Sequence, residues 1–418
     1  LMKAINYDQQ FEFSGKAKTY SLIAIAIGLL AILFGLLTGQ TERIFANLLL
    51  MSYYFACVCM AGVLFCAIQY VSQAGWSSSI LRVPQAFAKV LPYASLFLIA
   101  IITIGLFTNH SVIEEGKKIF EPNLYAQWAT KGVTIKGSGT YNAEVAAKAG
   151  YLNIPFFLAR LVIFLILYSI IGLMLVKYSR KEDELGGMSN YNKSFGISAV
   201  FLAIFGFTYP VFAFDAIMSL EAHYYFSTLF GWYNFAAMWV SGLALIALVV
   251  IILRQNGYMD WVTENHLHDM GKLVFAFSIF WTYLWFAQLL LTYYANIPEE
   301  TVYYYERWEP EFKPWFWLNI VLNFCSPVLL LMSRDAKRAP TVLKYVCIVV
   351  LCGHWLDYYL MVMPGTVGAE GRGFGVEEVG IALGFVGLFT FLMLNALSKV
   401  SLIPKKHPFL EESLNHHI

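Results

Sequence analysis

Residues 228–253 read TLFGWYNFAAMWVSGLALIALVVIIL, twenty-six positions without one charged side chain. At 1.5 Å per residue, a helix of that length reaches about 39 Å, more than the ~30 Å hydrocarbon core of a bilayer. The run therefore reads as a membrane-spanning helix. Working outward from it, comparable runs lie near 20–38, 45–71, 87–107, 153–176, 195–218, 269–295, 315–333, 341–364 and 377–399. The expectation is an all-α integral membrane protein with ten transmembrane helices.

The composition of the 418 residues agrees. It is 59% hydrophobic, 17% aromatic and only 13% charged, whereas soluble domains carry about a quarter charged residues. A net charge of +1 excludes a strongly basic nucleic-acid binder. The six cysteines fall inside apolar runs and form no C-x-x-C. They read as packing residues and offer no zinc, iron–sulfur or c-type haem motif. Residues 1–19 are polar and mixed in charge. The apolar run after them is too long for a signal sequence and lacks a small-residue cleavage site, so it reads as a retained first helix.

Basic residues set the orientation. With the N-terminus inside, eighteen of the 28 Lys and Arg residues fall on inside segments. Of the other ten, only Arg43, Arg307, Lys313 and Arg372 lie in short outside loops. Both termini are thus expected on the cytoplasmic side. Two outside connections are long. Residues 108–152 read as a lid or docking loop, and the acidic, aromatic 296–314 as an interfacial belt or a partner surface.

Ionisable residues within spans are functional candidates by default. In GHWLDYY, His354 and Asp357 are three apart and share one helical face. His354 lies roughly 20 Å into its helix and Asp357 about a turn further out. Such a pair can relay a proton or hydrogen-bond a quinone; the plainer alternative is helix packing. Arg160, in YLNIPFFLAR, either snorkels to the interface or pairs inward with Asp357 or Asp215. Asp215, Glu221 and His223 lie near the outer surface, where capping also explains such residues. On the inside, Glu264, His268 and Asp269 (with His266 and Lys272) could load protons, or could simply be solvated. Gln288, Asn319 and Asn323 add uncharged polar positions. Only His354 among eight histidines is deep within a span, so a haem-free, metal-free chain is expected. No phosphate-binding loop is present.

Several stretches carry a family resemblance: YLNIPFFLAR (151–160), DAIMSLEAH (215–223), ENHLHDMGKL (264–273), SRDAKR (333–338), GHWLDYY (353–359) and HPFLEESL (407–414). They are similar to the polysulfide-reductase-like (NrfD-like) membrane subunits. More closely, the chain resembles the second such subunit, the F subunit, of bacterial alternative complex III, a quinol:cytochrome c (or other acceptor) oxidoreductase. The family usually carries Trp and Pro where this chain has Ala216 and Ala222. The resemblance implies two four-helix bundles, helices 2–5 and 6–9, flanked by helices 1 and 10. On that scheme 1–44 is the N-terminal tail and helix 1, 45–218 the first bundle, 219–364 the second, and 365–418 helix 10 with the C-terminal tail.

The implied partners are an iron–sulfur subunit, multihaem and monohaem cytochrome c subunits, a sister NrfD-like subunit and small membrane subunits. Some such complexes also associate with a haem–copper oxidase. Haem c and iron–sulfur clusters would sit in the partners, with quinol, menaquinol among the candidates, as substrate. The implied location is the bacterial cytoplasmic membrane. The turn MSLEAHYYFST favours the subunit whose proposed job is structural support plus a proton path. The alternatives are a quinol-binding subunit of the same complex, a secondary transporter, and a pure scaffold.

Overall fold

The computed structural model describes residues 6–114, 117–222, 227–368 and 371–417. Among them, nine helices are long and apolar enough to cross a membrane. We label them in chain order: α1 Lys16–Leu37, α2 Thr41–Val71, α3 Arg82–Phe107, α4 Ile154–Leu185, α5 Met188–Ala216, α6 Leu229–Gln255, α7 Glu264–Ala295, then α9 Pro340–Thr366 and α10 Val376–Leu397. The apolar run between α7 and α9 folds as α8 (Lys313–Ile320), a π-helical turn (Val321–Cys325) and a short helix, Ser326–Leu330. The interruption follows from Pro327, which has no N–H to give the carbonyl four residues back. The Ser326 amide instead reaches Val321 O, five residues back.

Local chemistry starts these helices where they start. The Asn153 side chain accepts from the Phe156 amide and Pro155 occupies the first turn of α4. Thr263 and His266 cap α7 reciprocally. Glu378 reaches back to the Gly375 amide at 2.7 Å. α4 runs nine residues past the apolar run that announced it; within this extension Ser179 and Glu182 are buried.

In the first half of the chain α2 packs on α3 and α5, α3 on α4, and α4 on α5, which closes a ring of four. In the second half α6 packs on α7 and α9, and the interrupted α8 segment lies against α7 and α9, which closes another. α2 is buried nearly all round because it touches both rings. At that junction Asn234 Oδ1 accepts hydroxyls from Tyr53 and Tyr209, each at 2.7 Å.

α1 lies outside the rings and packs mainly on α10. Small residues permit the close approach: a Cβ at Gly28 would sit 2.5 Å from Gly384 Cα, and one at Gly380 the same distance from Ala31 Cβ. Helices in lipid associate through such small-residue seams. Gly384→Leu is accordingly expected to lower the thermal midpoint of the purified chain. Leu383→Ala, at a 43% exposed position one residue away, should leave it nearly unchanged.

The helix ends define two faces. The tail face carries the starts of α3, α5, α7 and α9, the ends of α2, α4, α6 and α10, and the C-terminal segment. There Leu402 N donates to Gln9 O at 2.9 Å, and Lys405 pairs with Asp8. The loop face carries 108–152, 296–312 and 367–375. It also carries an antiparallel hairpin of β1 (Asn109–Glu114) and β2 (Lys117–Pro122).

Candidate functional site

α9 carries the candidate pair into the second ring. Asp357 is its eighteenth residue, about 26 Å from the tail-face end of a helix roughly 40 Å long. Its side chain is wholly buried, yet no Lys or Arg reaches it among the described residues. Three neutral donors converge on it instead. The Tyr233 hydroxyl of α6 and the Asn319 amide of α8 (2.9 Å) both donate to Oδ1. The Trp281 indole of α7 donates to Oδ2 at 3.0 Å. Each of the other three members of the ring thus supplies one donor.

The π turn helps to place this shell. Asn323 Nδ2 donates to Asn319 Oδ1 at 2.6 Å, which leaves the Asn319 amide aimed at Asp357. Asn323 in turn requires a bare backbone opposite: a Cβ at Gly353 would lie 2.3 Å from Asn323 Oδ1. His354, one residue on, meets the Trp281 ring edge-on at 5.4 Å between centroids. Its Nδ1 is 3.9 Å from Asp357 Oδ2, beyond hydrogen-bond reach, and both ring nitrogens lack a partner among the described residues.

This donor set restricts what Asp357 can do. An ionised carboxylate only accepts, and all three neighbours can donate to it. Indole N–H and amide NH2 cannot accept. Among the three bonded partners, only the Tyr233 hydroxyl can both donate and accept, so it is the one able to share a proton arriving on Asp357. Hydrogen bonds from neutral donors offset the cost of burying the charge without fixing it as a salt bridge does.

Asp357 also forms the floor of a narrow pocket that continues toward the loop face. It is lined further by Gln288, Tyr303, Tyr304, Arg307 and Phe316, and has room for about one water molecule. At the outer end Arg307 pairs with the buried Glu221, Nη2 to Oε1 at 2.5 Å, and its guanidinium covers the Tyr303 ring at 3.3 Å. Beside this pair, burial and the Glu221 charge push the Glu306 carboxyl up to about 7.

A raised carboxyl is preferentially neutral in the folded chain. Its stabilisation is complete below the ordinary value of 4.5 and is lost as the pH climbs through about 7. The thermal midpoint should therefore fall between about pH 5 and pH 8, and Glu306→Gln should flatten that slope. Equal slopes in the two proteins would contradict this assignment.

In the tail half of the ring, the polar groups among the described residues thin out to Ser278 on α7 and Ser241 on α6. Val274 on α7 and Leu343, Val346 and Val350 on α9 are buried in that stretch. The inside candidates sit beyond it, at the start of α7. Glu264 is exposed; His268 is buried, with Nδ1 unpartnered among the described residues. Asp269 is held by Lys272 at 2.5 Å and by His416 at 2.6 Å. His266 donates to or accepts from Ser413 at 3.1 Å, so the C-terminal segment covers this end of the ring.

Arg160 and Asp215 meet each other, not Asp357. Arg160 Nε and Nη2 donate to the two Asp215 oxygens at 2.7 and 3.0 Å. Its remaining donors reach Tyr151 O at 3.2 Å, and its guanidinium lies over Tyr151 and Phe156. Both partners are buried, so the pair clamps α4 to α5 at the loop face. His223 lies outside the described residues.

Among the described residues, no group of three or more His, Cys, Asp and Glu is placed to hold a metal ion. No protein family and no curated protein matches the chain.

Proposed function

We propose that this chain is a haem-free membrane subunit of a respiratory quinol-oxidising complex, related to the NrfD-like F subunits, and that Asp357 is its proton-exchanging group. On this reading the eighth crossing is the interrupted α8 segment, which makes ten. The two rings are the family's two four-helix bundles. The tail face is cytoplasmic in a bacterial inner membrane, and the loop face receives the iron–sulfur and cytochrome c partners.

One observation carries the functional part. A fully buried carboxylate is surrounded by three neutral donors and no cation, on the floor of a pocket that leads toward the loop face. A packing residue has no use for a charge in that position, and a salt bridge would lock it. A proton site needs a group whose two protonation states are both tolerated. Because the polar lining runs outward from Asp357, the favoured exchange is with the loop face. Supply from Glu264, His268 and Asp269 needs water or movement across the apolar stretch.

Quinol binding is the second reading. The same pocket offers Trp285, Phe316 and Tyr304 as walls, with Asp357 and Arg307 as polar ends. Its room for about one water molecule favours proton exchange over a quinone ring.

The assignment to a complex is tested by purifying the tagged full-length chain from its native membranes in mild detergent. The expected result is co-purification of c-type haem and iron–sulfur absorbance with quinol-oxidising activity. A chain that purifies alone, without redox partners, would contradict it. Solute uptake by such a chain in liposomes would establish the transporter alternative.

A further inference from the structure

A second pocket, a narrow cleft open to the surface, lies at the tail face of the first ring, where the start of α3 and the ends of α4 and α10 meet. Arg82, Lys89 and Arg180 line it, with Gln85 between them. Arg82 is 2% exposed. Its Nη1 donates to Gln85 Oε1 at 2.8 Å and to Ser179 Oγ at 3.3 Å, and its Nη2 pairs with Asp183. The Nε atoms of both Arg82 and Arg180 are buried and lack a hydrogen-bond partner among the described residues.

The nearby acids offset only part of this charge: Asp183 pairs with Arg82 and lies within electrostatic reach of Arg180. Asp183 is already engaged by Arg82 and by the Lys405 amide at 2.9 Å. Glu182 is buried but does not line the pocket. Lys89 lies within electrostatic reach of Arg180 and of Lys399, which adds a third mutually repelling charge at the mouth. Among the described residues, no carboxylate comes within 4 Å of Lys89 or Arg180. Three cations against one engaged carboxylate leave net positive charge around the cavity, the complement of an anion with several acceptor oxygens.

The surroundings indicate what kind of anion. Further along α3, Tyr93, Leu96 and Phe97 are 55%, 66% and 40% exposed, on the face that carries Lys89. On α4, Ile170 and Leu173 are likewise open. A cationic pocket at the helix ends thus passes directly into an apolar surface within the hydrocarbon region. A soluble phosphate would use the first and leave the second idle. A phospholipid uses both, and basic pockets between helices at this level hold anionic headgroups.

We propose that this pocket binds the phosphate of an anionic phospholipid, whose acyl chains run along α3 and α4. The site is distinct from Asp357 and does not rest on the quinol reading. The test is native mass spectrometry of the purified full-length chain, or of the assembly that holds it, equilibrated with phosphatidylglycerol or phosphatidylcholine. We expect phosphatidylglycerol to be retained at least ~10-fold more strongly. Lys89→Gln and Arg180→Gln should each weaken it by about 5-fold, and together by more than 10-fold.

The pair Lys89→Arg and Arg180→Lys should preserve the preference, which separates charge from folding if the neutral double variant is unstable. Millimolar glycerol phosphate or inorganic phosphate should not displace the lipid. Equal retention of the two lipids, or full retention by both neutral single variants, would overturn the proposal. So would displacement by soluble phosphate, which would make free phosphate the ligand.

Discussion

Asp357→Asn should leave the chain folded and assembled, let electrons flow from quinol to acceptor, and lower the protons moved per electron. The geometry explains why the two effects separate. With its oxygen at the Oδ1 position, asparagine still accepts from Tyr233 and Asn319. Its amide nitrogen then faces the Trp281 N–H, donor against donor, at a position where 3.0 Å now separates donor from acceptor. One buried hydrogen bond is lost, a cost of about 1–3 kcal/mol, which a chain of this size survives. The titratable group is lost entirely. The measurement is acidification by the assembled complex in sealed vesicles during a known number of turnovers. Tyr233→Phe should give an intermediate result, because it removes the one bonded partner able to share the proton but keeps the carboxyl. Unchanged stoichiometry in both variants would reduce the whole shell to a packing element.

Arg160→Ala should be the most destabilising single change outside that shell, by about 3–5 kcal/mol. Truncation leaves Asp215 buried as an unpaired charge and Tyr151 O without its two donors. Arg160→Lys rescues only in part, since an ammonium cannot reproduce the two-pronged contact or the stacking on Tyr151. Replacing both partners, Arg160→Met with Asp215→Leu, should cost far less than Arg160→Ala alone, because no orphaned charge remains. Thermal unfolding of the four proteins in the same detergent checks the series. A loss of under about 1 kcal/mol for Arg160→Ala would show that the pair is solvated and not a clamp.

How much of this was legible in the sequence depends on the distance over which each feature is encoded. Long apolar runs are local, so nine spans could be read to within a few residues in most cases. The exceptions have local causes that hydropathy does not register. α4 continues as a polar helix, and within that extension Ser179 Oγ accepts from Arg82 and Gln85 of α3. The run at 315–333 stays helical but widens into a π turn just before Pro327, an effect that shows only in the backbone.

At the site, His354 and Asp357 stood out as ionisable residues at depth, and Asn319 and Asn323 as polar positions in an apolar run. Tyr233 and Trp281 did not, although they are two of the three donors that hold Asp357. Aromatic residues are too common in this chain for two of them to signal anything until the ring closes. The Arg160–Asp215 pair was one of two open pairings, and a contact across fifty-five residues is decided by helix rotation. Glu221 was noted as a cap or a hydrated residue; its burial with Arg307 depends on the outer loop folding back over the ring. The same holds for His416, which reaches Asp269 because the C-terminal segment folds under α7.

Infrared difference spectroscopy of the assembled complex, triggered by quinol, addresses the central claim most directly. Protonation of a buried carboxylate creates a carboxylic-acid C=O band that shifts in deuterium oxide. The account predicts such a band during turnover, perturbed in Tyr233→Phe and absent in Asp357→Asn while electron transfer persists. A spectrum in which the band is missing from the native complex, or survives unchanged in Asp357→Asn, would contradict the assignment of Asp357 as the proton-exchanging group.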